Sequence, residues 1–368
     1  MPFEIGSVSF RMLELPRAFP KDWADRFAAH RAGALEAVGA GEERGWVTGR
    51  HLLDSKITEE TARHGGWVRL ALRLAARKVP AALLKAECRM EELAVMAAED
   101  KPYLKAKARA EIRQAVTERL LPAMPPQLKA IPFVYQPGAG HLYVGALSDA
   151  QLDVFTAALA SALGFGGEPA TPEALGALLK KADLRDVPGA SFSPEMENVA
   201  MEAAPGREFL TWLWFKAETQ NGTVALAAGG SLGVLVEGPL TFLHEGDGAH
   251  AVVLKQGAPE NSLEAKTCLL GGKKLREAKV TFALDEVHTW AFSFEADRFR
   301  FRGLKLPAGE AQLDAISRFE ERLAFLEQWR EIFLDLFGAF LDVRLDARKW
   351  KNTVADIRAW VKGRPARR

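Results

Sequence analysis

Trp67-Val-Arg-Leu-Ala-Leu-Arg-Leu-Ala-Ala-Arg-Lys-Val-Pro80 is the stretch that decides the fold class. Successive strand side chains point to opposite faces. Val68, Leu70, Leu72, Leu74 and Ala76 therefore form one apolar face, and Arg69, Ala71, Arg73, Ala75 and Arg77 the other. Period two over eleven residues predicts a strand with one core face, as in an antiparallel sheet with helices packed on it. Pro80 fits the first turn of a following helix.

Outward from this strand, Ser7–Leu15 alternates as a second strand, and Pro20–Glu36 reads as a helix. Residues 81–121 read as one long helix or two, broken near Asp100-Lys101-Pro102. A hairpin is expected from Ile131–Tyr135 and His141–Leu147 across Pro137-Gly138-Ala139-Gly140, then a helix over Asp149–Leu163. Residues 207–218 suggest a buried helix, 223–306 alternate repeatedly between glycine turns, and the rest has helical spacing. The class is α+β, with antiparallel sheets and segregated helices. Four regions are expected: 1–165, an N-terminal α+β region; 166–205, linker-like and rich in Gly, Pro and acids; 206–310, β-rich; and 311–368, C-terminal helices with a basic tail.

The 368 residues are 48% hydrophobic and 26% charged, with 49 basic against 48 acidic side chains. Near-neutrality excludes a polyanion partner argued from net charge, so any such function rests on how charge is distributed. Cys88 and Cys268 belong to no metal-ligand or disulfide pattern, which points to a reducing, cytoplasmic setting. Neither a signal peptide nor a membrane span is read, and a soluble protein is expected.

The distribution is uneven. Basic residues form four groups: Arg69, Arg73, Arg77 and Lys78 on the quoted strand; Lys101, Lys105, Arg109 and Arg113 at helical spacing; Arg298, Arg300, Arg302 and Lys305 on a late strand expected over Asp297–Lys305; and a tail from Val343 onward. Any one group alone reads as a solvated face. Four groups in a neutral chain point instead to phosphate-backbone binding without base readout.

Enzyme motifs are weak. Gly229-Gly-Ser-Leu-Gly233 lacks the ending of a phosphate loop, and Gly271-Gly-Lys-Lys274 reads as a hairpin turn. Asp247, Glu264 and Lys266 have the residue types of a metal-dependent nuclease centre in a short, loose pattern. No catalytic residue, metal site or cofactor is assigned. The Trp212, Trp214 and Phe215 group and the aromatic C-terminal helix read as core, the latter with coverage suited to an interface.

Three blocks stand out in order. The first runs from the quoted strand through Glu118-Arg-Leu-Leu-Pro122 and His141-Leu-Tyr-Val144 to Leu163-Gly164. The second is Phe209-Leu-Thr-Trp-Leu-Trp-Phe215, and the third runs from Gly272-Lys-Lys-Leu-Arg276 through Asp285 to Leu306. This ordered set resembles the RdgC family of bacterial recombination-associated DNA-binding proteins. The resemblance implies a homodimer closed into a ring around duplex DNA, little sequence preference, restraint of RecA-driven recombination in the nucleoid, and no enzymatic activity. It places the family's basic finger at Val253-Leu-Lys-Gln256, making Lys255 and Gln256 contact candidates. After Leu120-Leu121-Pro122 the chain departs from the family pattern with Ala123-Met124-Pro125, and its middle segment is longer and its tail more basic than in compact members. A metal-dependent nuclease and a non-catalytic interaction scaffold stand as alternatives.

Overall fold

One strand joins two halves. The computed structural model of the chain describes residues 3–39, 41–196, 201–227, 229–244, 250–310 and 312–363. Its strands are β1 (Val8–Glu14), β2 (Glu43–Thr48), β3 (Arg63–His64), β4 (Trp67–Arg77), β5 (Pro126–Tyr135), β6 (His141–Val144), β7 (Glu168–Pro169), β8 (Thr223–Ala225), β9 (Ser231–His244), β10 (Ala251–Leu254), β11 (Lys273–Ala283), β12 (Thr289–Glu295) and β13 (Arg300–Lys305). The continuous path runs β10-β9-β11-β12-β13-β1-β6-β5-β4-β2. β1 is the hinge of this order: Val8 and Phe10 pair with Leu304 and Phe301 of β13, while Arg11–Glu14 pair with Val144–His141 of β6.

The helices are α1 (Trp23–Ala29), α2 (Glu59–Ala62), α3 (Ala81–Ala98), α4 (Ala106–Leu120), α5 (Asp149–Leu163), α6 (Pro172–Lys180), α7 (Pro205–Thr219), α8 (Leu263–Leu270), α9 (Ala315–Arg344) and α10 (Ala347–Lys362). Two main cores lie against the sheet. Leu13, Val68, Leu70, Leu72, Phe133 and Val144 pack with Trp23 and Phe27 of α1 and Phe155 and Leu159 of α5. Phe10, Phe292, Phe294 and Phe301 pack with Phe209 of α7 and Trp329, Phe333 and Phe337 of α9. Because β1 alternates, it sends Phe10 and Met12 into the second core and Leu13 into the first.

The fold class stands as α+β. Several details differ from the sequence reading. The first helix spans only Trp23–Ala29, because the chain turns at His30 to reach β2: Ala32 N donates to Trp46 O at 2.9 Å, and Trp46 N to His30 O at 3.0 Å. A side chain on Gly45 would collide with the Ala32 backbone, which explains the glycine. α8 lies within the stretch read as wholly extended. It is capped by the Ser262 hydroxyl, which accepts from Ala265 N at 3.1 Å. Gly271-Gly272 therefore ends a helix and enters β11, correcting the hairpin reading; Gly272 has φ +79°. The stretch 166–205 is no bare tether, since Ala170, Leu175, Leu184 and Phe192 reach the second core. Trp212, Trp214 and Phe215 are buried, as expected for core.

Gly206, in the first turn of α7, packs against the turn after β12, and a Cβ there would run into the Ala296 carbonyl. Gly206→Ala should displace this helix end and cost roughly 1–3 kcal/mol, measured by urea denaturation. An unchanged midpoint would show that the contact relaxes freely.

Candidate nucleic-acid interface

The row of arginines on β4 does not face solvent. Arg69 is 5% and Arg73 4% exposed. Arg69 donates to the Glu4 carboxylate, and its guanidinium lies 5.3 Å from the Phe319 ring centroid. Arg73 donates to Gly33 O and, at 3.4 Å, to Leu52 O. Arg77 is half-buried; it donates to Val38 O at 2.7 Å, Pro122 O at 3.2 Å and Met124 O. These side chains hold the 31–39 and 49–55 segments and the turn after α4 against the sheet. The expectation of an open basic row on this strand is corrected: loops cover it, and their carbonyls occupy the guanidinium groups. Lys78, next along, is exposed and makes no ion pair among the described residues.

The proposed basic helix stripe is divided. α3 and α4 form a hairpin around a small core of Leu84, Cys88 and Val116. Arg109 and Arg113 lie on α4, Lys105 is its N-cap, and Lys101 sits in the connection, 2.7 Å from Glu99. Lys105, Arg109 and Arg113 are exposed and carry no ion pair among the described residues. Pro102 and the left-handed Asp100 (φ 49°) account for the break.

The late basic group lies on the face of β11–β13 opposite the phenylalanines. Lys279, Ser293 and Arg302 are paired neighbours across three strands, and Thr281, Ala291 and Lys305 form the next row. Arg302 and Lys305 are three residues apart, an odd separation that would ordinarily put them on opposite faces. A bulge with Gly303 at φ +62° shifts the register, so Leu304 turns inward and both basic residues stay outside. Phe299, at φ 46°, makes the turn that enters β13.

Carboxylates are interleaved here. Arg302 pairs with Glu277, Lys279 with Glu237 at 2.8 Å, and Arg300 with Asp149 at 3.0 Å. Arg298 is 54% exposed at its side chain and is only 3.8 Å from Asp149, while Lys305 is exposed and unpaired among the described residues. Exposed pairs are worth only about 0–1 kcal/mol. A phosphate can therefore take over such a cation at little cost, and the mixed face remains usable by a polyanion.

Asp149, the first residue of α5, ties this face to the neighbouring half. It accepts from buried Arg11 at 2.7 Å and from Arg300 at 3.0 Å. Burial pushes its carboxyl up, but the Arg11 hydrogen bond and the Arg300 charge outweigh that and hold it below its ordinary value. A depressed carboxylate adds stability above its unfolded pKa and loses it as pH falls through the folded one. Asp149→Asn should therefore lose stability at neutral pH and flatten the acid limb below about pH 4. Denaturation at a series of pH values reads this out; a parallel shift at every pH would contradict it.

Lys255 and Gln256 directly follow β10, at one end of the sheet, and both are exposed. In the tail, Arg348, Lys351 and Lys362 are exposed, whereas Arg344 is buried on Glu208 and Arg358 donates to Ser191 O at 3.0 Å. Asp247 lies outside the described residues. Lys266 is 4% exposed and donates to Trp360 O at 3.0 Å and Gly363 O at 3.2 Å, which commits its ammonium to fastening α8 to α10. Glu264 is exposed on α8. Among the described residues, no three His, Cys, Asp or Glu side chains converge as a metal site requires. No helix among them is long and apolar enough to cross a membrane.

Sequence reasoning missed the neighbours of the late strand: Arg11, Arg207, Arg276 and Lys279. Arg207 and Arg276 meet at Asp297, at 2.6 and 2.9 Å. Only the pairing order brings these together, and no local motif announces it.

Comparison with known proteins gives one family match. Residues 27–174 match a family model described as "Putative exonuclease, RdgC". No curated protein matches the chain.

Proposed function

Starting from the RdgC-family domain that the chain carries over residues 27–174, we propose that this protein binds duplex DNA through its phosphate backbone, with little sequence preference. The observation that carries the reading is the bulged strand β13, which keeps Arg302 and Lys305 on one exposed sheet face, with exposed Arg298 in the turn that enters it. Lys105, Arg109 and Arg113 on the helical hairpin, Lys78, and Lys255 with Gln256 supply further exposed contacts. The reading extends to a homodimeric ring around DNA that restrains RecA-type recombination in the nucleoid, with single strands as a second ligand. An exposed apolar stripe on α3, Leu83, Met90 and Leu93, supports self-association, since its spacing fits one helix face. The role is non-catalytic and needs no cofactor.

The test is a salt titration of binding to unrelated duplexes. Each phosphate contact contributes about 0.9 to the slope of log affinity against log salt. Replacing Arg298, Arg302 and Lys305 together by alanine should flatten that slope by roughly 2–3 units on every sequence alike. A slope that does not change removes this face from the interface. The family description favours one rival, a nuclease, and the same protein incubated with labelled DNA and magnesium or manganese should leave the DNA intact; shortened strands would overturn the non-catalytic role.

A further inference from the structure

Away from the basic sheet face, a cavity of 360 Å³ opens beside the turn after β5, lined by Phe19, Lys21, Trp23, Glu59, Arg63 and Tyr135. Its size lies within the ~300–1,000 Å³ range of small-ligand pockets. Its polar equipment is unusual. Tyr135 is 1% exposed, and its hydroxyl oxygen accepts from Phe19 N at 3.2 Å and from Gly138 N at 3.1 Å. A phenol oxygen has two lone pairs and one proton. The two backbone donors use the lone pairs, and the proton has no acceptor among the described residues. Buried donors are nearly always satisfied, so this proton calls for an acceptor inside the pocket.

The other walls narrow the chemistry. Phe19 stacks on Tyr135 with centroids 3.9 Å apart and remains half-exposed, and Trp23 adds a second aromatic wall. The Trp23 indole N–H also makes no hydrogen bond among the described residues. At the rim, Lys21 is exposed and makes no ion pair among the described residues, and Arg63 forms an exposed pair with Glu59 at 3.2 Å. Flat apolar walls, an inward donor and two available cations suit a flat ring that carries acceptors and an attached anion.

We propose that this pocket receives one unpaired nucleotide unit. The base lies against Phe19 and Trp23, a base carbonyl accepts from the Tyr135 hydroxyl, and the phosphate meets Lys21 and Arg63. Aromatic stacking of unpaired bases tolerates any sequence. The site is separate from the backbone-binding face and does not depend on it.

The experiment titrates the full chain calorimetrically with thymidine 5′-monophosphate, with thymidine, inorganic phosphate and a proline-rich peptide as separate arms. The monophosphate should bind at least tenfold more tightly than thymidine or phosphate. Lys21→Ala with Arg63→Ala, both at exposed positions, should weaken it about tenfold, the scale of a lost charge-assisted hydrogen bond. Tyr135→Phe should weaken thymidine and monophosphate alike; the exposed double variant keeps the test valid if Tyr135→Phe fails to fold. No binding, equal binding of phosphate alone, indifference to the double variant, or binding of the peptide in place of the nucleotide would each overturn the proposal. Duplex binding measured in parallel tells failure here apart from failure of the sheet face.

Discussion

Glu208→Ala is expected to lower folding stability by about 3–5 kcal/mol, the scale for breaking a buried ion pair from one side. Glu208 is completely buried in α7. One carboxylate oxygen accepts from Lys274 of β11 at 3.1 Å and from Ala190 N at 2.9 Å; the other accepts from Arg344 of α9 at 2.6 Å. Arg344 also donates to Pro188 O at 2.6 Å, and its guanidinium lies 4.7 Å from the Trp350 ring centroid. One acid thus joins sheet, two helices and the 188–191 segment, and its loss removes the carboxylate that buried Lys274 and Arg344 share. Denaturant unfolding measures the effect, and a loss below about 1 kcal/mol would show that the cations relax to other acceptors or to water. The combined change Glu208→Leu, Lys274→Met and Arg344→Leu should recover most of the loss, because a well-packed apolar replacement of a buried ionic group is often neutral or better.

The second large effect is expected from Arg73→Ala with Arg77→Ala. Each side chain satisfies loop carbonyls that would otherwise be left without donors, a cost of about 1–3 kcal/mol per group. The pair should therefore destabilise the N-terminal half by roughly 2–6 kcal/mol if the losses add. The salt slope of DNA binding should stay the same, since both guanidinium groups are engaged by loop carbonyls. A flattened slope in a variant of unchanged stability would reverse the assignment and return these arginines to the interface.

That contrast shows what the sequence made legible. Period two placed β4, and it correctly separated Val68, Leu70 and Leu72 from Arg69, Arg73 and Arg77. Periodicity assigns residues to faces but does not say what covers a face. Here the 31–39 and 49–55 segments cover it, and their carbonyls are invisible to side-chain patterning. α5 was legible to the residue because its ends are chemically marked: Ser148 caps it in a box with Gln151, and Gly164 closes it in the left-handed region. α8 was missed because eight residues give little periodicity and its only signal is the Ser262 cap. On β13 the alternation was read correctly from Arg300 to Arg302; residues 297–299, read as strand, form the turn before it, and the Gly303 bulge keeps Lys305 on the same side. The nucleotide-sized pocket joins residues 19–23, 59–63 and 135, a convergence fixed by tertiary packing alone.

The position of β1 has a consequence for how the chain is made. This strand leaves the ribosome long before its partner, for Val8 pairs with Leu304 and Phe10 with Phe301. At about 5–20 residues per second, roughly 15–60 s of synthesis separate a strand from a partner some 300 positions later. β6 satisfies the other edge much sooner, so the growing chain carries a half-finished sheet whose Phe10 edge waits for β13. Such an edge is a template for pairing with other nascent chains. Truncation before Arg300 would make that waiting state permanent, so shortened chains should accumulate as aggregates rather than as a soluble N-terminal half.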